Sequence, residues 1–248
     1  MQLTRTIATA DGGSTFEEVE LALPHARVHD EKSDPMPARH VSFRWTPGDM
    51  DFDFHPAPRR RLVIVMTGAL EITTTDGAVR IFRPGDLLEV TDTTGRGHRS
   101  RALSAEGFRS AFIALDDDLV TNRLSELPAP APGPQLTRCY SADGRSHFAD
   151  ERLDYLYGGP SGMVTREIPI TAWQAVKKPG SLNHDFHPAP QRQIVLMLTG
   201  GMEVDCGDGE VRRILPGEVY QGEDLHGRGH ISRAIDGAER ICVFAWLA

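Results

Sequence analysis

The apolar positions of this chain fall in short runs. Residues 62–66 read Leu-Val-Ile-Val-Met and stop at Thr67-Gly68; residues 194–198 read Ile-Val-Leu-Met-Leu and stop at Thr199-Gly200. Short apolar runs closed by glycine predict strands buried on both faces. A second strand follows each, over 69–75 and 201–206, and ends at Asp76-Gly77 or Asp208-Gly209. Asp-Gly between two such runs is a hairpin turn. Next come Pro84-Gly85 or Pro216-Gly217, a short strand, and a glycine-rich approach to His98 or His230. Helical periodicity is clear only over 118–127. Many short strands punctuated by Gly and Pro predict an all-β sandwich or barrel.

The pattern occurs twice. Asp53-Phe54-His55-Pro56-Ala57-Pro58 returns as Asp185-Phe186-His187-Pro188-Ala189-Pro190, and Gly95-Arg96-Gly97-His98 as Gly227-Arg228-Gly229-His230, both at an offset of 132 residues. The same offset joins Gly68 to Gly200 and Phe112 to Phe244, while Gln2-Leu3-Thr4-Arg5 matches Gln135-Leu136-Thr137-Arg138 one residue out of step. A period this long is no solenoid, whose repeats run roughly 20 to 50 residues. It reads as a duplicated domain. Residues 128–134, Pro-Ala-Pro-Ala-Pro-Gly-Pro, cannot continue a helix or fill a central strand, so they read as a semi-rigid spacer. The expected organisation is one barrel over 1–127, the spacer over 128–134, and a second barrel over 135–248.

Charge narrows the partners. A net charge of -8 argues against nucleic acid, whose phosphates need a basic face. No apolar run approaches the roughly 18 residues of a membrane span, and no signal-peptide stretch opens the chain. A cytoplasmic, soluble protein is expected, with a small molecule as partner and homodimerisation left open. Cys139, Cys206 and Cys242 are an odd number and read as reduced thiols rather than a disulfide framework.

The order His, apolar strand, Gly, strand, Pro-Gly-Asp/Glu, strand, Gly-x-x-His resembles the two signature motifs of the cupin superfamily, and its repetition resembles a bicupin. The resemblance implies two antiparallel jelly-roll barrels, each able to hold a metal in its mouth. This chain departs from the family pattern at two ligand positions. The usual Glu is Arg61 in the first copy and Gln193 in the second, and the first His of His-x-His is Asp53 or Asp185. His55 and His187 match the second His of that pair; His98 and His230 match the second motif.

Residues two apart on a strand share a face, so Asp53 with His55, and Asp185 with His187, can look into one interior while His98 or His230 enters from another strand. Two imidazoles and a carboxylate are the facial set that holds non-haem iron; Mn, Ni, Co and Zn remain open. The alternative is that each Asp caps a local turn and the imidazoles are packing residues. The second copy adds His184 and His226, the latter also readable as a solvated loop residue. Arg59 and Arg61 share one face of their strand and could grip a carboxylate, or form a solvated rim; Gln193 occupies the corresponding substrate-facing place in the second copy. The resemblance implies a metal-dependent enzyme on a small organic, carboxylate-bearing substrate, of dioxygenase, isomerase or lyase type. Its rival is a metal-free binding or sensory protein, or a metal-free isomerase or cyclase.

Overall fold

The computed structural model describes residues 1–25, 30–115 and 124–248. Its strands cluster into two compact units, and neither is a continuous half of the chain. The first comprises Met1–Leu21, Ala38–Gly133 and Asp154–Pro169; the second comprises Ala22–Pro37, Pro134–Leu153 and Ile170–Ala248. The main crossing point, between Gly133 and Pro134, falls inside the proline-rich spacer. Residues 22–37 and 154–169, however, each belong to the unit built mainly by the other half, a segment exchange that the contiguous division did not anticipate.

In the N-terminal unit, Arg61–Thr67 is the central strand. It lies antiparallel to Leu87–Val90 on one side and Phe108–Ala114 on the other. Paired on both edges and covered on both faces, it buries every residue from Leu62 to Met66, as the unbroken apolar run predicts. Gln2–Ala8 runs parallel to Leu87–Val90 and forms a hairpin with Ser14–Glu20. Phe108–Ala114 continues to His40–Thr46, then to Gly162–Thr165 and Tyr155–Gly159 from the exchanged segment. A second sheet orders Asp51–His55, His98–Ala102, Leu70–Thr73 and Val79–Phe82, with Asp76-Gly77 turning the last hairpin. Val63, Val65, Ile72, Phe82, Leu88 and Phe108 meet in one apolar core. Two antiparallel-dominated sheets around one core make a jelly-roll β-barrel.

The C-terminal unit repeats these pairings. Gln193–Thr199 lies between Val219–Glu223 and Arg240–Leu247, and Asn183–His187, His230–Ala234, Met202–Cys206 and Val211–Ile214 form its second sheet. Asp208-Gly209 again turns a hairpin.

Two readings change. Ser125–Ala131 is a strand paired with Tyr155–Gly159, so part of the proline-rich stretch is sheet rather than free spacer. It pairs on one side only among the described residues, which is the position where prolines, lacking an N–H, are tolerated. The same strand overrides the helical periodicity at its start, and residues 118–123 lie outside the described residues. Among the described residues the only helical element is a single 3-10 turn, Ile235–Gly237. No helix is long and apolar enough to cross a membrane.

The exchange yields a test. A fragment of residues 1–133 lacks the segment that pairs with His40–Thr46 and Ser125–Ala131, leaving both strands with open edges. Expressed alone, 1–133 and 134–248 should aggregate or show weak amide protection; co-expressed, they should recover the full-length circular dichroism and melting. Two halves that separately reach full-length amide protection would show that the exchanged segments are dispensable.

Candidate functional site

His98 opens the strand His98–Ala102, in which burial alternates strictly, so His98, Ser100 and Ala102 point inward while Arg99 and Arg101 point out. Opposite it, in direct register, stands His55. Their rings lie 5.0 Å apart between centres. Gly97 makes this approach feasible: its φ is +66°, and a Cβ there would sit 1.9 Å from the His55 carbonyl oxygen. The repeated Gly-Arg-Gly is therefore a tight turn against the facing strand, with no need of a bound anion to explain it.

Behind His98 lies a residue that the motif comparison passed over. Asp92, wholly buried, accepts a 2.7 Å hydrogen bond from the Thr6 hydroxyl at Oδ1 and lies 2.8 Å from His98 Nδ1 at Oδ2. Its partner at the 132-residue offset is Asp224, so the signal was present in the repeat itself. With Nδ1 engaged, His98 has Nε2 left for the cavity it lines. His55 Nδ1 is 2.8 Å from the Asp53 carbonyl, which also leaves Nε2. Burial depresses the His55 imidazole below its ordinary value, with the neighbouring His98 and Arg61 adding to the effect.

The cavity holds about 520 Å³ and is walled by Phe52, Val63, Leu88, Val90 and Phe108 among others. Into it reach Arg44 and Arg61. Arg61 shares strand parity with Val63 and Val65, so the side chain faces the core rather than forming a solvated rim. Both guanidinium groups stack on Phe112, with their central carbons 4.7 and 4.5 Å from the ring centre. The Nε atoms of both are shielded and lack a hydrogen-bond partner among the described residues. Desolvation without a countercharge pushes Arg44 down to about 10; desolvation and the charge of Arg44 push Arg61 down to about 9. Arg59, by contrast, is ion-paired with Glu167 and does not line the cavity.

Asp53 borders the same cavity, but its carboxylate accepts the N–H of Phe54 and its side chain is exposed. It caps its own backbone, the alternative that the sequence left open. A divalent ion between His55 and His98 would thus meet two imidazoles, no committed carboxylate and two unpaired cations. These residues do not fit such an ion.

In the C-terminal unit, His187 and His230 stand in register with ring centres 4.7 Å apart. His230 Nδ1 lies 2.7 Å from Asp224 Oδ2, and His187 Nδ1 lies 2.7 Å from the Asp185 carbonyl. Burial lowers the His187 imidazole. It also opposes charging of His230, yet Asp224 and the Cys139 sulfur outweigh it and raise that imidazole to about 9. Asp185 is exposed and accepts the Phe186 N–H, repeating the behaviour of Asp53. His184 packs 4.9 Å from His187, whereas His226 is an exposed loop residue held through its backbone by Ser141. Gln193 is buried. Among the described residues, the one group of three metal-type ligands is none of the expected sets but Cys139, Asp224 and His230.

No protein-family model matches the sequence. No curated protein matches it. Among solved structures, the chain is similar to a cupin 2 conserved barrel domain protein from Leptotrichia buccalis, at 13% identity over 90% of each chain with a TM-score of 0.42. It is also similar to a putative glyoxylate-induced protein from Pseudomonas aeruginosa, at 10% identity over 92% of this chain and 85% of that one, TM-score 0.43. A variant of Bacillus subtilis oxalate decarboxylase matches at 13% identity over 90% of this chain and 74% of that one, TM-score 0.33.

The depressed imidazoles predict an acid response. A histidine whose folded pKa lies below its unfolded value leaves stability intact above about pH 6.5 and erodes it as pH falls through the folded value. Chemical denaturation should show stability declining from about pH 6.5 downward, less steeply in a His55→Gln/His187→Gln variant. In NMR titrations both rings should remain neutral at pH 6.5; a midpoint above that value for either would contradict the burial argument.

Proposed function

We propose that the N-terminal unit binds a small organic molecule carrying a carboxylate and acts on it by proton transfer, as a metal-free isomerase or lyase would. The observation that carries this reading is the pair Arg44 and Arg61. Burying a guanidinium without a partner is unfavourable, and a structural role would supply a carboxylate from the protein. Here the unengaged donors face a cavity of the size that holds small ligands. A planar guanidinium matches a carboxylate by paired, charge-assisted hydrogen bonds, and the apolar walls take the remainder of the molecule.

The imidazoles supply the acid–base function. Asp92 fixes the orientation of His98 from behind, as a buried carboxylate does for a catalytic histidine, and His55 is kept neutral and therefore able to accept a proton. One imidazole removes a proton from carbon next to the bound carboxylate, the electron pair moves into the carboxylate framework beside the two guanidiniums, and the other imidazole returns a proton. A metal-dependent reading, dioxygenase included, finds less support in this unit because its donor set does not suit a dication.

Titration calorimetry with aliphatic and aromatic mono- and dicarboxylates tests the binding. Arg61→Gln and Arg44→Val, which install the residues found at the matching positions Gln193 and Val176, should each weaken the best ligand about 10- to 100-fold, the loss of a charged hydrogen bond worth about 1.5–3 kcal/mol. Arg61→Gln should at the same time stabilise the ligand-free protein by about 1–3 kcal/mol, since it removes an uncompensated buried charge. A destabilised Arg61→Gln protein with unchanged affinity would mean that Arg61 is structural.

Catalysis is separable from binding. Asp92→Asn should keep the carboxylate affinity within about threefold but slow solvent-deuterium exchange into the bound molecule by about 10²-fold or more. Exchange unaffected by this change, measured by mass spectrometry, would leave the unit a binding module.

A further inference from the structure

The C-terminal unit keeps the buried aspartate–histidine pair but changes what surrounds it. In the N-terminal unit every oxygen of the Asp92 carboxylate is engaged, by Thr6 and His98, and the nearby Thr74 hydroxyl donates to Asp76. At the matching positions the C-terminal unit carries Cys139 for Thr6, Cys206 for Thr74 and Tyr220 for Leu88. Two good hydroxyl donors have become thiols. With a thiol in place of the Thr6 hydroxyl, the buried Asp224 Oδ1 has no hydrogen-bond partner among the described residues, and the buried Tyr220 hydroxyl has none either.

What gathers there is a ligand set. Donor atoms of Cys139, Asp224 and His230 all lie within 4.8 Å of one another, and Cys206 Sγ is 3.4 Å from Cys139 Sγ. Cys139 and Cys206 are fully buried, so both thiols are out of reach of solvent. Thiols packing as small hydrophobes would account for the cysteines alone, but not for a carboxylate oxygen stripped of its donor beside them.

We propose that Cys139, Asp224 and His230 form a structural zinc site in the core of the C-terminal unit, with Cys206, which lies beside Cys139 but outside that group of three, moving in as the fourth ligand. Two sulfurs, an imidazole nitrogen and a carboxylate oxygen form the four-coordinate, mixed-donor set that zinc accepts, with no position open to substrate. The ion takes the Nδ1 side of His230 and leaves Nε2 toward His187, so it is separate from the mouth between those two imidazoles. On binding, each thiol and the His230 Nδ1 position releases its proton to solvent, and no electron changes hands. Nothing in this proposal depends on the N-terminal cavity.

Protein without a polyhistidine tag, purified under reducing conditions, should contain close to one zinc per chain. A Cys139→Thr/Cys206→Thr variant, which restores the N-terminal unit's residues, should lose it; Cys242→Ser should retain it. Cobalt in place of zinc should give thiolate-to-metal charge-transfer absorption and the intense visible bands of a tetrahedral ion. Wild-type protein that holds no zinc as purified and takes up none after chelation and reconstitution overturns the proposal. So does a native Cys139–Cys206 disulfide found by mass spectrometry. If the double variant does not fold, the cobalt spectrum of the wild type decides: a spectrum without thiolate bands rejects the site.

Discussion

The junction that both barrels depend on is a buried carboxylate, Asp92 in one and Asp224 in the other. Asp92 ties three parts of its unit together, and Asp224 two of the same three. The Asp92 backbone carbonyl accepts the N–H of Ala57, just beyond His55, while its side chain reaches Thr6 on the first strand and His98 on the second sheet. Asp224 repeats the link to Ala189 and to His230. A carboxylate removed from water is tolerable only when its lone pairs are filled, so its partners are held in place by its own need for them. The orientation of His98 and His230 follows from this, as does the free Nε2 of each.

Given that common frame, the differences between the units concern which buried polar groups are left without partners. The N-terminal unit fills the Asp92 shell with a threonine hydroxyl and leaves two cavity guanidiniums unmatched; the C-terminal unit replaces those arginines by Val176 and Gln193 and leaves Asp224 Oδ1 unmatched beside two thiols. Neither pattern suits a protein optimised for stability alone, because each unmatched group is unfavourable by itself. Each makes sense as half of an interaction. In the two readings proposed above, the Arg44 and Arg61 pair would meet an anion and the Asp224 oxygen a cation.

Sequence alone was informative where the physics is local. The buried strands at 62–66 and 194–198, the Asp-Gly hairpins and the two-sheet architecture follow from periodicity and turn chemistry, and His55 opposite His98 follows from the motif. Strand alternation also placed Arg61 on one face with Arg59, but Arg61 enters the cavity while Arg59 is drawn to Glu167, more than a hundred residues away. At Asp53 and Asp185 the following N–H donates to the residue's own carboxylate, a local bond that competes with ligation and that strand alternation does not reveal. The exchanged segments were not legible, since residues 22–37 and 154–169 carry no repeated motif and pair with strands distant in sequence. The thiol cluster was missed because Cys139 and Cys206 come from different strands, although both replace threonines of the first copy.

The global charge also bears on what the cavity can take. A chain with net charge -8 repels polyanions at long range, yet salt confines that field to about 8 Å from the surface at physiological ionic strength. Inside the cavity the nearest charges are those of Arg44 and Arg61, whose Nε atoms are shielded from water. A small carboxylate, the ligand proposed above, would leave the screened exterior and meet both arginines at once; a polyanion would have to bring its whole backbone to a chain of net negative charge. Local cations within an acidic protein therefore select by size as much as by sign. The ligand proposed above is therefore a molecule that the apolar walls can enclose.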